Sequence, residues 1–169
     1  RAAGTAARRL QDLGVVEAST VLHGSGENGL TAEAAAEALA EGSALACYRF
    51  DQYRTVKANK GLTRLSLVEP DRASLTAARR GARTGLALAR ATCLARDLAN
   101  HPASTATPSY LATCARSLAR EHGLQCRVLD EAAMRRLGMG GLLGVTRGSR
   151  EPARFIILEH RCKAGPGPR

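Results

Sequence analysis

Side chains suited to metal binding or acid–base chemistry are widely spaced in this sequence. The histidines are His23, His101, His122 and His160. Each of them falls at the end of a predicted helix or strand. A metal site needs several ligands that converge from one face or from neighbouring elements. We therefore expect surface or structural roles for the histidines, not metal ligation.

The cysteines do not follow a metal-binding or redox motif. The chain has five of them, Cys47, Cys93, Cys114, Cys126 and Cys162. No two have the Cys-x-x-Cys spacing that many zinc and redox sites use, and an odd number cannot all pair with one another. The prediction is free thiols in a reducing compartment.

Three glutamates repeat at helical spacing. Glu33, Glu37 and Glu41 are four residues apart and therefore share one face of a predicted helix. Carboxylates in register can form a metal-binding face, but this segment contains no histidine. The pattern favours a solvated glutamate stripe.

A glycine pattern raises the question of a dinucleotide. Gly24-x-Gly26-x-x-Gly29 follows a predicted strand and precedes a predicted helix, as a dinucleotide-binding loop does. The acidic residue expected about 20 positions later to bind the ribose would fall inside the next helix. We favour an ordinary loop and keep the dinucleotide site as the alternative.

The charge balance raises nucleic acid as a partner. The formal net charge is +10, but aromatic residues, which stack on bases, make up only 3% of the chain. The basic residues are spread along the sequence, and the densest group is Arg79, Arg80 and Arg83. A solvated helix face accounts for this group, and a phosphate-binding patch is the alternative.

Helices and strands alternate along the chain, which predicts an α/β fold with largely parallel sheet in both halves. The predicted helices are 2–13, ending at Gly14; 31–54; 73–98; 107–123, with Thr107 as cap and Pro108 in the first turn; and a short one from Asp130 to Gly138. The predicted strands are 15–23, 61–68, 124–129 and 154–159, the last of a buried type, and 140–145 is predicted to be a glycine-rich turn.

The helix predicted over 73–98 is long enough, at about 40 Å, to connect two domains. It must end where Asn100, His101 and Pro102 follow, because proline removes a backbone donor and restricts the residue before it. We expect Asn100 to be a helix stop whose side chain satisfies backbone groups. Tyr48, Phe50 and Tyr53 are expected to form a packing anchor.

Three stretches together resemble one family. Residues 41–54, EGSALACYRFDQYR, and 95–103, ARDLANHPA, resemble segments of the amino-terminal domain and interdomain helix of leucine aminopeptidases, the cytosol aminopeptidase family. Residues 128–160 carry VLDE, LGMGGLLGV, GS, EP and a strand ending in LEH, and they resemble the opening of that family's catalytic domain.

The resemblance implies a domain organisation. It places a partial three-layer amino-terminal α/β domain at 1–72, a connecting helix at 73–100 and the truncated start of the α/β metallopeptidase catalytic domain at 101–169. The family's first strands would precede Arg1 and most of its catalytic domain would follow Arg169. We expect apolar surface to be exposed around residues 155–158.

The resemblance also implies a function for the complete protein. Leucine aminopeptidases are cytoplasmic hexamers that release amino-terminal residues from peptides with two divalent metal ions, manganese or zinc, which activate water and polarise the peptide carbonyl. The family takes its carboxylate and lysine site residues from beyond the strand that 154–160 matches. No catalytic, cofactor-binding or metal-binding residue is therefore assigned here, and we expect this chain to bind no metal, to be inactive alone and to have no membrane segment. Two alternatives remain: a non-enzymatic basic module that binds DNA or another acidic partner, and an inactive subunit that assembles with intact copies.

Overall fold

The computed structural model describes residues 1–26, 29–56 and 61–161. The chain has an α/β fold that divides into two compact units, Arg1–Asn100 and His101–Arg169. Cys162, Lys163 and the glycine-proline end of the sequence lie outside the described residues, as do Glu27 and Asn28.

In its described residues, the first unit contains three helices and a parallel pair of strands. In chain order its elements are α1 (Ala2–Asp12), β1 (Glu17–Val21), α2 (Ala32–Ala46), β2 (Arg64–Val68) and α3 (Leu75–Asn100). The strands pair in register from Glu17 opposite Arg64 to Val21 opposite Val68. Parallel strands buried on one face alternate in exposure, and β1 and β2 both do so.

The core of the first unit is built mainly from alanine. Its buried members are Leu22, Ala32, Ala35, Ala36, Leu39 and Ala78, with Leu65 and Leu67 of β2 packed against them. Alanine at these positions lets the backbones approach closely. The small side chains of α2 therefore set a short distance between that helix and its neighbours.

The second unit pairs its strands in the opposite sense to the prediction. Its elements are α4 (Pro108–His122), β3 (Gln125–Leu129), α5 (Glu131–Arg136), α6 (Gly140–Thr146) and β4 (Phe155–Glu159). The expectation of a parallel sheet was wrong here, since β3 and β4 are antiparallel. The alternation of helices and strands along a chain predicts a parallel sheet only when each intervening helix crosses over the sheet. The helices α5 and α6 have six and seven residues, and they return the chain in the opposite direction.

A helix prediction and a turn prediction also need correction. The helix predicted over 31–54 ends at Ala46, where Cys47 closes it, and the aromatic segment that follows makes tertiary contacts instead. The predicted glycine-rich turn at 140–145 is the helix α6. Glycine allows a turn but does not impose one, and positive φ occurs at the preceding Gly138 (φ 68°), not in α6.

Several local signals are confirmed. Gly14 and Gly123 adopt left-handed conformations after α1 and α4, with φ of 72° and 66°. The Thr107 side chain accepts a hydrogen bond from the Tyr110 amide at 3.2 Å and caps α4. The Asp130 side chain accepts one from the Ala133 amide at 2.8 Å and caps α5. The strand β4 is less buried than predicted, since Leu158 is 42% exposed.

Candidate functional site

The first two family-like stretches meet at a polar cluster around Tyr48. The Tyr48 hydroxyl donates a hydrogen bond to Oδ1 of Asp97 at 2.7 Å. It also accepts one from Nδ2 of Asn100 at 3.1 Å. The segment after α2 is thereby fixed to the last turn of α3. Asn100 ends the helix as predicted, but its side-chain amide binds the Tyr48 hydroxyl, which corrects the expectation that it would satisfy backbone groups.

A cation completes this cluster. The guanidinium carbon of Arg96 lies 5.4 Å from the centre of the Tyr48 ring, and its Nη1 donates to the carbonyl oxygen of Leu45 at 3.5 Å. Burial is the main cause that raises the pKa of Tyr48, and the hydrogen bond to Asp97 adds to it. The hydroxyl is therefore a neutral donor at physiological pH, which suits a positioning contact better than acid–base chemistry.

The aromatic window contributes packing, as expected. Phe50 and Tyr53 have ring centres 5.8 Å apart at a tilted angle. Tyr53 is 53% exposed, so this pair covers the surface and does not fill the core.

The second unit begins with a histidine–tyrosine contact. His101 Nε2 lies 3.3 Å from the Tyr110 hydroxyl, and the two rings meet edge to face. Pro108 occupies the first turn of α4 after the Thr107 cap. This local arrangement holds the ring of His101 against α4.

Glu131 contacts two parts of the third family-like stretch. Its Oε1 accepts a hydrogen bond from the backbone N–H of Ala153 at 3.1 Å, and its Oε2 pairs with Arg135 at 3.3 Å. A cavity of about 660 Å³ adjoins this carboxylate. Arg135, Arg147, Thr146 and Ser149 also line it, so its polar side chains are two cations, one carboxylate and two hydroxyls.

The described residues bring together no group of three or more His, Cys, Asp or Glu side chains able to hold a metal ion. His23, His101, His122 and His160 follow or end an element, as predicted. His122 contacts the neighbouring Glu121 at 3.9 Å.

The glutamates of α2 differ from the predicted solvated stripe. Glu33 forms a two-pronged ion pair with Arg80 of α3, and that contact lowers the pKa of the carboxyl group. Glu33, Glu37 and Glu41 are all partly buried. Glu33 and Glu37 lie along the contact between α2 and α3, where their backbones face Gly81 and Gly85 of α3.

The glycine loop after β1 has conformations that favour glycine. Gly24, Gly26 and Gly29 have φ of 84°, 84° and 76°. The Gly26 amide donates to the carbonyl oxygen of Leu30 at 2.9 Å, so it serves the loop itself. This geometry agrees with an ordinary loop.

The described cysteines and the densest arginine group are further candidates from the sequence. Cys47, Cys93, Cys114 and Cys126 are free thiols, as predicted, and burial raises the pKa of Cys47. In the densest arginine group, Arg80 is committed to Glu33. None of the helices in the described ranges is long and apolar enough to cross a membrane.

Sequence reasoning missed the contact between Tyr48 and Asp97. These residues lie 49 positions apart, and neither belongs to a local motif that predicts a contact with the other. The available signal was that both fall in stretches that resemble the same family.

Comparison with known proteins matches both ends of the chain to one family. The pattern of the cytosol aminopeptidase family, N-terminal domain, matches residues 1–57. The pattern of its catalytic domain matches residues 93–168. The two matches occur in one chain.

Individual relatives agree. The probable cytosol aminopeptidase of Acidobacterium capsulatum is 36% identical over 169 residues, which are 99% of this chain and 33% of that protein. That of Methylobacillus flagellatus is 42% identical over 116 residues, covering 68% of this chain and 23% of the relative. The chain thus spans about a third or less of the length of these relatives.

Solved structures share the fold. The bottromycin maturation enzyme BotP in complex with Mn has a TM-score of 0.79 and 38% identity, over 93% of this chain and 31% of the BotP chain. A mutant tomato leucine aminopeptidase has a TM-score of 0.79 at 23% identity, over 92% of this chain and 31% of its own. From the two family patterns and these relatives together, the chain belongs to the cytosol aminopeptidase family.

Proposed function

We propose that this chain forms the end of the amino-terminal domain (1–72), the connecting helix (73–100) and the first elements of the catalytic domain (101–169) of a two-metal leucyl aminopeptidase. Such an enzyme releases amino-terminal residues from peptides. The observation that carries the proposal is the presence of both family patterns, N-terminal and catalytic, in one chain. The 38% identity with BotP over nearly the whole chain supports it.

We propose that the metal site of such an enzyme is not formed by the residues of this chain. BotP is described in complex with Mn, and manganese or zinc is the metal we propose for the complete protein. The described part of this chain offers no cluster of donors for it. No step of catalysis is therefore assigned to these residues, and the chain on its own is proposed to be inactive.

The role left to this chain is structural support for the catalytic domain. The hydrogen bonds of Tyr48 fix the end of the connecting helix, and Glu131 fixes the segment that leads into β4. The complete protein is proposed to be cytoplasmic, to act on peptides and to assemble as a hexamer.

Activity of the purified chain is the direct test. With leucine amide as substrate and manganese or zinc added, we expect no release of leucine. Metal-dependent turnover that persists through further purification would contradict the proposal that the chain is inactive alone.

Complementation tests the family role itself. The part of BotP that follows the region matching this chain would be expressed with it, and peptide cleavage by the mixture would be measured. We expect activity only when both parts are present. The matching BotP segment is the positive control, and success with that segment but not with this chain would count against the proposed role.

No observation on the described residues supports the alternative of a DNA-binding module. The densest arginine group has already lost Arg80 to an ion pair. This alternative would be favoured by a sequence preference that survives moderate salt, because salt removes most non-specific phosphate binding.

A further inference from the structure

We draw no further inference here: the strongest candidate, the cavity that Glu131, Arg135 and Arg147 line in the second unit, carries none because nothing in the structure shows whether a ligand or another part of the proposed catalytic domain occupies it.

Discussion

Gly81 of α3 lies directly against the backbone of Glu33 in α2. A Cβ atom at Gly81 would overlap the Glu33 carbonyl group, coming 2.7 Å from its carbon. One turn further, a Cβ at Gly85 would lie 3.0 Å from the carbonyl carbon of Glu37. The two helices are thus in backbone contact along a four-residue repeat of glycine.

Replacing Gly81 with alanine should destabilise the first unit. Alanine favours a helix by about 1 kcal/mol over glycine, but a backbone carbonyl cannot move aside, and overpacking costs about 1–3 kcal/mol. We expect a net loss, measured as a lower denaturation midpoint. Gly42→Ala is the control because its Cβ meets its nearest neighbour, the Gly4 nitrogen, at 4.0 Å. A Gly81→Ala variant as stable as Gly42→Ala would contradict the backbone contact.

Because of the ion pair between Glu33 and Arg80, the stability of the folded protein should decrease at acidic pH. The hydrogen bond from Arg80 lowers the pKa of Glu33. A carboxyl group whose folded pKa is lowered stabilises the protein above its unfolded value of about 4.3, and this contribution is lost as pH falls through the folded pKa. Thermal melts of the wild type and Glu33→Gln should therefore differ at pH 7 and converge toward pH 3. A gap that is unchanged at pH 3 would assign the effect to packing.

The sequence predicted those features that depend on neighbouring residues. Thr107 before Pro108, Asp130 before α5 and Gly123 after α4 act within one helical turn, so residue type alone specifies their roles. The order of the helices and strands, with the exception of α6, followed from the same local signals. The family resemblance extended this to the cytosol aminopeptidase family because it joined stretches far apart in sequence.

The features that were missed depend on distant contacts. The end of α2 at Ala46 is tied to Tyr48 reaching Asp97 in α3, and the antiparallel return of β4 depends on how short helices direct the chain. The glutamate stripe was predicted to be solvated because no residue near Glu33 in the sequence indicates its contact with Arg80, 47 residues later. Local periodicity identifies a face of a helix but not what covers it.

The cap of α5 offers a prediction within the second unit. The Asp130 carboxylate accepts from the Ala133 amide at 2.8 Å, and α5 carries the buried Met134. Asp130→Ala should lower the free energy of unfolding by about 0.5–2 kcal/mol, because the helix that anchors Met134 loses its cap. Asp130→Ser retains an acceptor and should recover most of that loss in urea melts. Equal losses in the two variants would show that the hydrogen bond is not the cause.

The hydroxyl of Tyr48 should stabilise the first unit, and this effect should disappear at alkaline pH. Tyr48→Phe removes the donor to Asp97 and the acceptor for Asn100, so we expect a melting temperature below that of the wild type at pH 7. The folded environment raises the pKa of Tyr48, so it favours the neutral phenol. That contribution is complete below the unfolded value of about 10 and is lost as pH rises toward the folded pKa. The two proteins should therefore converge above pH 10. Asp97→Asn, which keeps an acceptor, should lie between them at pH 7, and no difference between Tyr48→Phe and the wild type would show that the hydroxyl contributes nothing.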